Sequence, residues 1–168
     1  DGVNVIPSDI GVHAGEAVIV SGPNAGGKTI ALKTLGLAAL CLRAGLPVPA
    51  VEGSRVSVFE VVLTDVGDEQ NLHKNLSTFS AHVQNLAGIL GETRPGALVL
   101  LDELAGGTDP REGEALAAAV LETMVSRGGA VATTTHYEGL KALALADARF
   151  QNASVGFDLA TMSPNFRL

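Results

Sequence analysis

The segment GPNAGGKT, residues 22–29, has the residue types and the spacing of a loop that binds phosphate. It fits the pattern G-x-x-x-x-G-K-[ST] at Gly22, Gly27, Lys28 and Thr29. Glycines allow positive φ angles, which turn successive backbone N–H groups towards a phosphate. In this pattern the lysine reaches the β- and γ-phosphate oxygens, and the threonine hydroxyl binds Mg²⁺. The loop therefore predicts a nucleoside triphosphate site. Such a site occurs in hydrolases, in kinases and in proteins whose site closes only when two copies of the chain meet.

Two neighbouring carboxylates, Asp102 and Glu103, follow the apolar run 97–101. Such a run predicts a buried parallel strand, and α/β folds bind their ligands at the carboxyl ends of these strands. Asp102 suits Mg²⁺, either directly or through a water molecule. Glu103 can act as general base for an attacking water, or can orient that water. The second acid favours hydrolysis over phosphoryl transfer to a small molecule.

Other polar residues have both a chemical and a structural interpretation. His136 follows the predicted strand 130–135, so it can hydrogen-bond a γ-phosphate or serve as an ordinary structural histidine. Ser77 and Thr78 begin a predicted helix, where hydroxyls and free N–H groups bind an anion or simply cap the helix. Three further histidines have no partners at metal-ligand spacing and are interpreted as structural: His13, His73 and His82.

The elements that position these residues alternate between strands and helices. Strands are predicted at 17–20, 56–64, 97–101 and 130–135. Helices are predicted at 29–45, 77–92, 111–129 and 137–146, and a terminal hairpin at 149–158 and 161–168. Asp109 and Pro110 suit the N-cap and the first residue of the third helix, and Gly128 suits its end. The alternation predicts an α/β fold with a mostly parallel sheet and helices on both faces.

Composition and charge narrow the class of protein. A chain of 168 residues with 46% hydrophobic content is expected to form one domain with a sizeable core. It has no apolar run near the length of a membrane span and no signal peptide, and its lone Cys41 fits a reducing cytoplasm. With a net charge of −7 and only 11 Lys and Arg residues, the chain lacks the basic surface that nucleic-acid binders usually carry. If the parent protein handles DNA or RNA, this segment is therefore expected to be its motor and not the part that grips the nucleic acid. The missing start methionine and the ending SPNFRL predict a fragment of a longer protein.

Taken together, the motifs resemble the ATPase domain of the MutS family, a branch of the ABC-type P-loop ATPases. GPNAGGKT, STFSAH, LVLLDE, GGTDP and TTTHY occur in the order and spacing of that family, over essentially all of residues 1–168. At the corresponding positions, mismatch-repair MutS has motifs similar to GPNMGGKS and DEIGRGTS. Thr29, DELAGGTDPREG, FEVVLTDVGDEQNLHKNLSTF and THYEGLKALA are instead similar to the second bacterial subfamily. That subfamily acts outside mismatch repair, on branched DNA and in suppressing recombination, and has been linked to collided ribosomes.

The resemblance implies a role for each matching residue. ATP would lie on the phosphate loop, formed by Gly22, Pro23, Asn24, Ala25, Gly26, Gly27, Lys28 and Thr29. Thr29 and Asp102 would hold Mg²⁺, and Lys28, Glu103 and His136 would be catalytic, with His136 as the switch histidine. Ser77 and Thr78 would contact the γ-phosphate bound by a partner subunit, which implies composite sites in a homodimer. The adenine would lie between residues that map to Val5 or Ile6 and to Phe166.

The chain also departs from the family pattern. Ala105-Gly106 replaces the usual Gly-Ala after DEL, and Leu76 replaces the arginine that mismatch-repair MutS has before its signature serine. The clamp and lever regions, the helices that follow the hairpin and the small MutS-related nuclease module lie outside this sequence, so no nuclease activity is expected of it. DNA, and the ribosome, would be contacted through those other regions.

Two alternatives to a MutS-like motor remain open. The ATPase head of another ABC-type machine, a transporter or a chromosome-maintenance protein, would carry an LSGGQ-like signature where this chain has LSTFS. A nucleotide-gated interaction module would turn over slowly and use hydrolysis as a timer. Glu103 argues against the loss of hydrolysis, but a rate does not follow from sequence.

Overall fold

The computed structural model describes residues 7–23, 26–66, 75–106, 108–158 and 163–164. Five parallel strands form one sheet: β1 (Ala17–Ser21), β2 (Val61–Asp65), β3 (Ala97–Leu101), β4 (Ala130–Thr134) and β5 (Phe150–Ser154). Within the described residues, four α-helices accompany it: α1 (Lys28–Arg43), α2 (Asn75–Glu92), α3 (Pro110–Ser126) and α4 (Leu143–Ala146), the last preceded by a 3-10 helix, Glu138–Ala142. The strand order is β2-β3-β4-β1-β5. The predicted α/β class with a mostly parallel sheet is confirmed.

The three central strands β3, β4 and β1 are buried along their whole length. Successive side chains of a strand point to opposite faces, so each central strand contributes to two separate clusters of apolar side chains. On one face Val99 and Leu101 pack with Leu121 of α3 and Leu86 of α2. On the other face Leu98, Leu100 and Ala132 pack with Leu32 and Ala39 of α1. Helices on both faces explain why these strands are buried at every position and mostly apolar, with Ser21, Thr133 and Thr134 as the polar residues at the carboxyl ends of β1 and β4.

The local signals that bound α3 are confirmed. The Asp109 carboxylate accepts hydrogen bonds from the backbone N–H groups of Arg111 and Glu112, and Pro110 is the first helical residue. Gly128 lies beyond the end of the helix with a φ of 82°, a left-handed conformation that glycine adopts without strain. Asp109 therefore begins α3 directly after the loop that carries the two acids.

One edge strand and one helix differ from their predictions. The strand predicted at 56–64 begins only at Val61, and Val56 and Val58 are exposed outside it. Its register starts with Val61 opposite Ala97, the first residue of β3, so the preceding apolar residues have no β3 strand residue to pair with. The helix predicted at 137–146 is also divided into the 3-10 helix and the single turn α4.

The predicted terminal hairpin is described only in part, and its first arm differs from the prediction. Phe150–Ser154 is not a hairpin arm but the fifth strand of the main sheet, where it pairs in parallel with β1. This pairing supplies hydrogen-bond partners to the outer edge of β1 and buries Phe150. The antiparallel pair consists of the short strands β6 (Phe157–Asp158) and β7 (Ser163–Pro164). Within the described ranges, no helix is both long and apolar enough to cross a membrane.

Candidate nucleotide-binding site

Three adjacent strands bring the candidate residues to one edge of the sheet. β1 leads into the glycine-rich loop, β3 into Asp102 and Glu103, and β4 into His136. Because β3, β4 and β1 are neighbours and run parallel, their carboxyl ends lie side by side. This edge is where α/β folds bind ligands.

The glycine-rich loop has the backbone that a phosphate cradle requires. Gly22 and Gly27 have φ angles of 130° and 89°, which residues with a Cβ rarely adopt. The Gly26 N–H donates to the Pro23 carbonyl at 3.0 Å and closes a turn. Helix α1 begins immediately afterwards, at Lys28, so its N-terminal N–H groups face the loop. Asn24 and Ala25 lie outside the described residues.

The Lys28 side chain is held inside this loop. Residue Lys28 is 2% exposed, and its Nζ donates to the Gly22 carbonyl oxygen at 2.7 Å. Burial lowers the pKa of the Lys28 ammonium group from its ordinary value, while the Glu103 and Asp102 carboxylates act to raise it. The negative charge of a bound triphosphate would raise this pKa further. The loop therefore presents a desolvated lysine whose charged form an anion would stabilise.

Thr29 and Asp102 form the pair that would hold a metal ion. The Thr29 hydroxyl donates to Asp102 Oδ2 at 2.8 Å, although 73 residues separate them in sequence. A hydroxyl and one carboxylate are hard oxygen donors, and Mg²⁺ commonly takes one or two carboxylates, with water and phosphate completing its shell. No cluster of three or more His, Cys, Asp or Glu side chains suited to a metal occurs among the described residues. The donor set thus fits Mg²⁺ bound together with a nucleotide, without an all-protein cage.

Thr134 was not singled out from the sequence, yet it contacts the Asp102 carboxylate and the Glu103 backbone. Its hydroxyl donates to Asp102 Oδ1 at 2.5 Å and accepts a hydrogen bond from the Glu103 backbone N–H at 2.8 Å. Thr134 is fully buried at the end of β4. The register pairs Leu101 with Thr133, so the next residue of β4 lies beside Asp102. Given the Leu101–Thr133 pairing, the hydroxyl residue at the next position of β4 is the signal that would have indicated Thr134.

Glu103 and His136 are in direct contact. His136 Nε2 lies 2.6 Å from Glu103 Oε1, and both side chains are partly exposed to solvent. Glu103 has a φ of 51°, a left-handed conformation that is uncommon for a residue with a Cβ. A strained backbone at a carboxylate next to a phosphate cradle is typical of functional sites. The two residues that were predicted separately therefore form one acid–imidazole pair.

The remaining candidates are placed only in part. Ser77 and Thr78 belong to the first turn of α2, which begins at Asn75, and their side chains lie outside the part of the chain that the structure describes. Three residues mapped to the adenine also lie outside that part: Val5, Ile6 and Phe166.

His82 has contacts consistent with its structural interpretation. Its Nδ1 is 3.2 Å from Asp65 Oδ2, and the Asn85 amide donates to Asp65 Oδ1 at 2.9 Å. These contacts join α2 to the carboxyl end of β2. His73 lies outside the described residues.

The strand–loop–helix unit, the parallel sheet and the acids at its carboxyl edge define an α/β domain of the P-loop NTPase type. Residues 18–166 match the family described as MutS domain V. The chain belongs to the MutS family.

Relatives within the family are similar over nearly the whole chain. Endonuclease MutS2 of Anaeromyxobacter sp. (strain Fw109-5) is 53% identical over 99% of this chain and 21% of its own length. Endonuclease MutS2 of Pelotomaculum thermopropionicum is 50% identical over 98% of this chain and 21% of its length. The protein of that name from Streptococcus pneumoniae serotype 19F is 49% identical over the same two shares. The chain thus spans about a fifth of these relatives, and their name confirms the resemblance to the second bacterial subfamily.

Proposed function

We propose that residues 1–168 form an ATP-binding and ATP-hydrolysing motor domain that depends on Mg²⁺. The observation that supports this most strongly is the convergence of two side-chain pairs beside the buried Lys28. These pairs are Thr29 with Asp102, and Glu103 with His136. Together they provide the groups that a phosphate cradle, a cation and an attacking water each need.

Each group has a distinct task in this proposal. The loop N–H groups and Lys28 bind and orient the β- and γ-phosphates. Thr29 and Asp102 would hold Mg²⁺, which neutralises phosphate charge when it is bound. Glu103 accepts a proton from the attacking water, and we assign its Oε2 to that water because Oε1 is engaged by His136. His136 holds the Glu103 carboxylate in place and hydrogen-bonds the γ-phosphate.

The proposed site is completed by a second subunit. Ser77 and Thr78 of one chain would contact the γ-phosphate bound by the other, so the active form would be a homodimer of the longer parent protein. This proposal is supported by family membership and by the place of STFSAH at the start of α2. Val5 or Ile6 and Phe166 would enclose the adenine.

The cellular role is proposed from the relatives. We propose that the parent protein binds branched DNA and suppresses homologous recombination in the cytoplasm, with a further role at collided ribosomes. The similar proteins named Endonuclease MutS2 support this assignment. The net charge of −7 supports placing the DNA-binding surface in regions outside this domain.

The experiment that tests the motor function is phosphate release from ATP by the purified protein, with Mg²⁺ and with a chelator. We expect slow release that requires Mg²⁺ and whose rate per subunit rises with protein concentration, because two chains complete each site. ATP binding without any release would contradict the proposed hydrolytic motor. A rate per subunit that stays constant over a wide concentration range would contradict the composite site.

Complementation between two inactive variants is a further prediction for the composite site. In the full-length protein, Lys28→Ala loses its own cradle but still offers Ser77, whereas Ser77→Ala keeps its cradle but cannot complete a partner's site. Their heterodimer has one intact composite site, so we expect at most about half of the wild-type activity if the sites are independent. Phosphate release from the mixture measures this. Confirmed heterodimers that bind ATP but remain inactive would show that Ser77 acts only within its own helix.

Substitution of Thr134 should impair hydrolysis through the two acids. Thr134→Val keeps the shape but removes the donor to Asp102 and leaves the Glu103 N–H without its partner, which costs about 1–3 kcal/mol for a buried group. We expect a higher Mg²⁺ requirement and a rate lowered by about ten- to a hundredfold. Thr134→Ser should retain most of the activity.

Thr133→Val is the matched control for this substitution. Thr133 is equally buried but points to the opposite face of β4 and donates to the Thr134 carbonyl. Equal losses for Thr133→Val and Thr134→Val, measured as phosphate release against Mg²⁺ concentration, would assign the effect to packing and not to the acids.

A further inference from the structure

The turn that carries Glu103 is strained at two points. Glu103 and Ala105 have φ angles of 51° and 61°, and they are the only non-glycine residues with positive φ in the part of the chain that the structure describes. A Cβ makes this left-handed conformation unfavourable. Such a backbone persists only where its surroundings hold it. The contacts of the turn therefore determine where the Glu103 carboxylate lies.

The carboxyl end of the turn is held by Tyr137. Its hydroxyl donates to the Ala105 carbonyl oxygen at 2.8 Å, and its backbone N–H donates to Thr135 Oγ1 at 2.9 Å. The ring packs against the core cluster that includes Leu104. Burial, with the nearby Glu114 and Asp109 carboxylates, raises the pKa of Tyr137 above its ordinary value. The hydroxyl therefore stays protonated and remains a donor at neutral pH.

Helix α3 leaves just enough room for this contact. A Cβ on Gly113 would collide with the Tyr137 hydroxyl and would lie 2.9 Å from the Ala105 carbonyl oxygen. The Gly113 N–H also donates to the Asp109 carbonyl within the first turn of α3. Glycine at position 113 thus allows the hydroxyl and the carbonyl to meet against the helix backbone.

The segment from Thr134, the last residue of β4, to Tyr137 consequently holds both ends of the strained turn. The Thr134 hydroxyl accepts a hydrogen bond from the Glu103 N–H at the amino end of the turn. The Tyr137 hydroxyl donates one to the Ala105 carbonyl oxygen at its carboxyl end. His136, between them, contacts the Glu103 carboxylate itself. A shift of Tyr137 would therefore be transmitted through the Ala105 backbone to Glu103.

We propose that Tyr137 is a positioning residue for hydrolysis, which acts by holding Ala105 in the left-handed conformation that directs Glu103. This inference rests on the proposed role of Glu103 as the residue that activates water. The Tyr137 hydroxyl donates its hydrogen bond to the Ala105 carbonyl oxygen, in the turn that carries Glu103, so nucleotide binding should not depend on the hydroxyl. The inference assigns to the hydroxyl an effect on turnover and not on affinity.

The test combines Tyr137→Phe with Ala105→Gly, alone and together. Tyr137→Phe keeps the ring and removes only the donor, so we expect kcat to fall by about tenfold, with KM and ATP affinity unchanged. Glycine adopts the left-handed conformation without strain. In the Ala105→Gly background the same tyrosine substitution should therefore cost only about two- to threefold. A merely structural role of Tyr137 would give the same fold-loss in both backgrounds.

Two comparisons separate this inference from the proposed function. If Glu103→Gln stops turnover but Tyr137→Phe changes neither kcat nor its dependence on residue 105, the positioning role is wrong and the motor function stands. If Glu103→Gln has no effect, the proposed function fails. Urea unfolding of the four proteins then still tests the contact itself. If Tyr137→Phe shifts the urea midpoint less in the Ala105→Gly background, the result supports the proposal that Tyr137 holds Ala105 in the left-handed conformation. Equal shifts in both backgrounds overturn that proposal.

Discussion

Replacement of Glu103 by glutamine is expected to leave ATP bound and to stop its turnover. Glutamine has nearly the same shape, so the contact with His136 Nε2 and the hydrogen bond from the Glu103 backbone to Thr134 can persist. An amide cannot accept the proton of the attacking water, and loss of general-base catalysis lowers rates by about 10²- to 10⁴-fold. Phosphate release and equilibrium ATP binding, measured on the same sample, would separate the two effects.

Glu92→Gln is the matched control for this prediction. Glu92 is an exposed carboxylate at the end of α2, shortly before β3 begins, and therefore near the opposite edge of the sheet from Glu103. Glu92→Gln removes the same formal charge without touching the candidate site, so the rate of phosphate release by this variant should equal that of the wild type. Turnover by Glu103→Gln at the same rate as Glu92→Gln would remove Glu103 from its proposed role.

Loss of the Lys28 ammonium group is expected to weaken ATP binding itself. Lys28 is the buried cation of the loop, and a hydrogen bond to a charged group contributes about 1.5–3 kcal/mol. Lys28→Ala should therefore weaken binding by about ten- to a hundredfold and abolish measurable hydrolysis. Lys28→Met should do the same while its chain fills the space of the lysine stem, which separates the loss of charge from a cavity.

An exposed lysine of the same helix provides the comparison. Lys33 lies one turn further along α1 and faces solvent. Lys33→Ala should bind ATP as the wild type does. Calorimetric titration with ATP and Mg²⁺ measures the affinities, and thermal unfolding shows whether each variant is folded. A folded Lys28→Met protein with wild-type affinity would exclude the loop as the phosphate site.

The strands that the sequence predicted well are the central ones, which are buried on both faces. Strands β1, β3 and β4 are buried throughout and mostly apolar because helices cover both of their faces, and this pattern is visible locally. The limits of an edge strand depend instead on its partner. β2 starts only where its partner β3 starts. Residues 150–154 form β5 because they pair with the side of β1 that β4 leaves uncovered. Pairing of this kind has no local signature in the residues themselves.

The site was predictable to the extent that its residues belong to contiguous motifs. Lys28, Asp102 and Glu103 stand in such motifs, and the fold brings them to the same edge of the sheet. Thr134 and Tyr137 act across about thirty residues of sequence through single hydroxyl contacts. The TTTHY sequence offers several hydroxyl groups, and only the register of β4 against β3 shows which of them lies beside Asp102.

The left-handed turn at Ala105 illustrates the same limit. The resemblance marks position 105 as a departure from the family, which usually has glycine there. Only the backbone explains why that matters, because a φ of 61° favours the residue that lacks a Cβ. Tyr137 holds the carbonyl of that residue.

The most direct test of the central claim is a single-turnover measurement on ATP already bound to the protein. With protein in excess, the wild type should convert bound ATP to ADP after Mg²⁺ is added and should leave it intact with a chelator. Glu103→Gln should bind the same ATP and leave it intact even with Mg²⁺. ATP that stays unconverted on the wild type, or that is converted equally fast by Glu103→Gln, would contradict hydrolysis at this site.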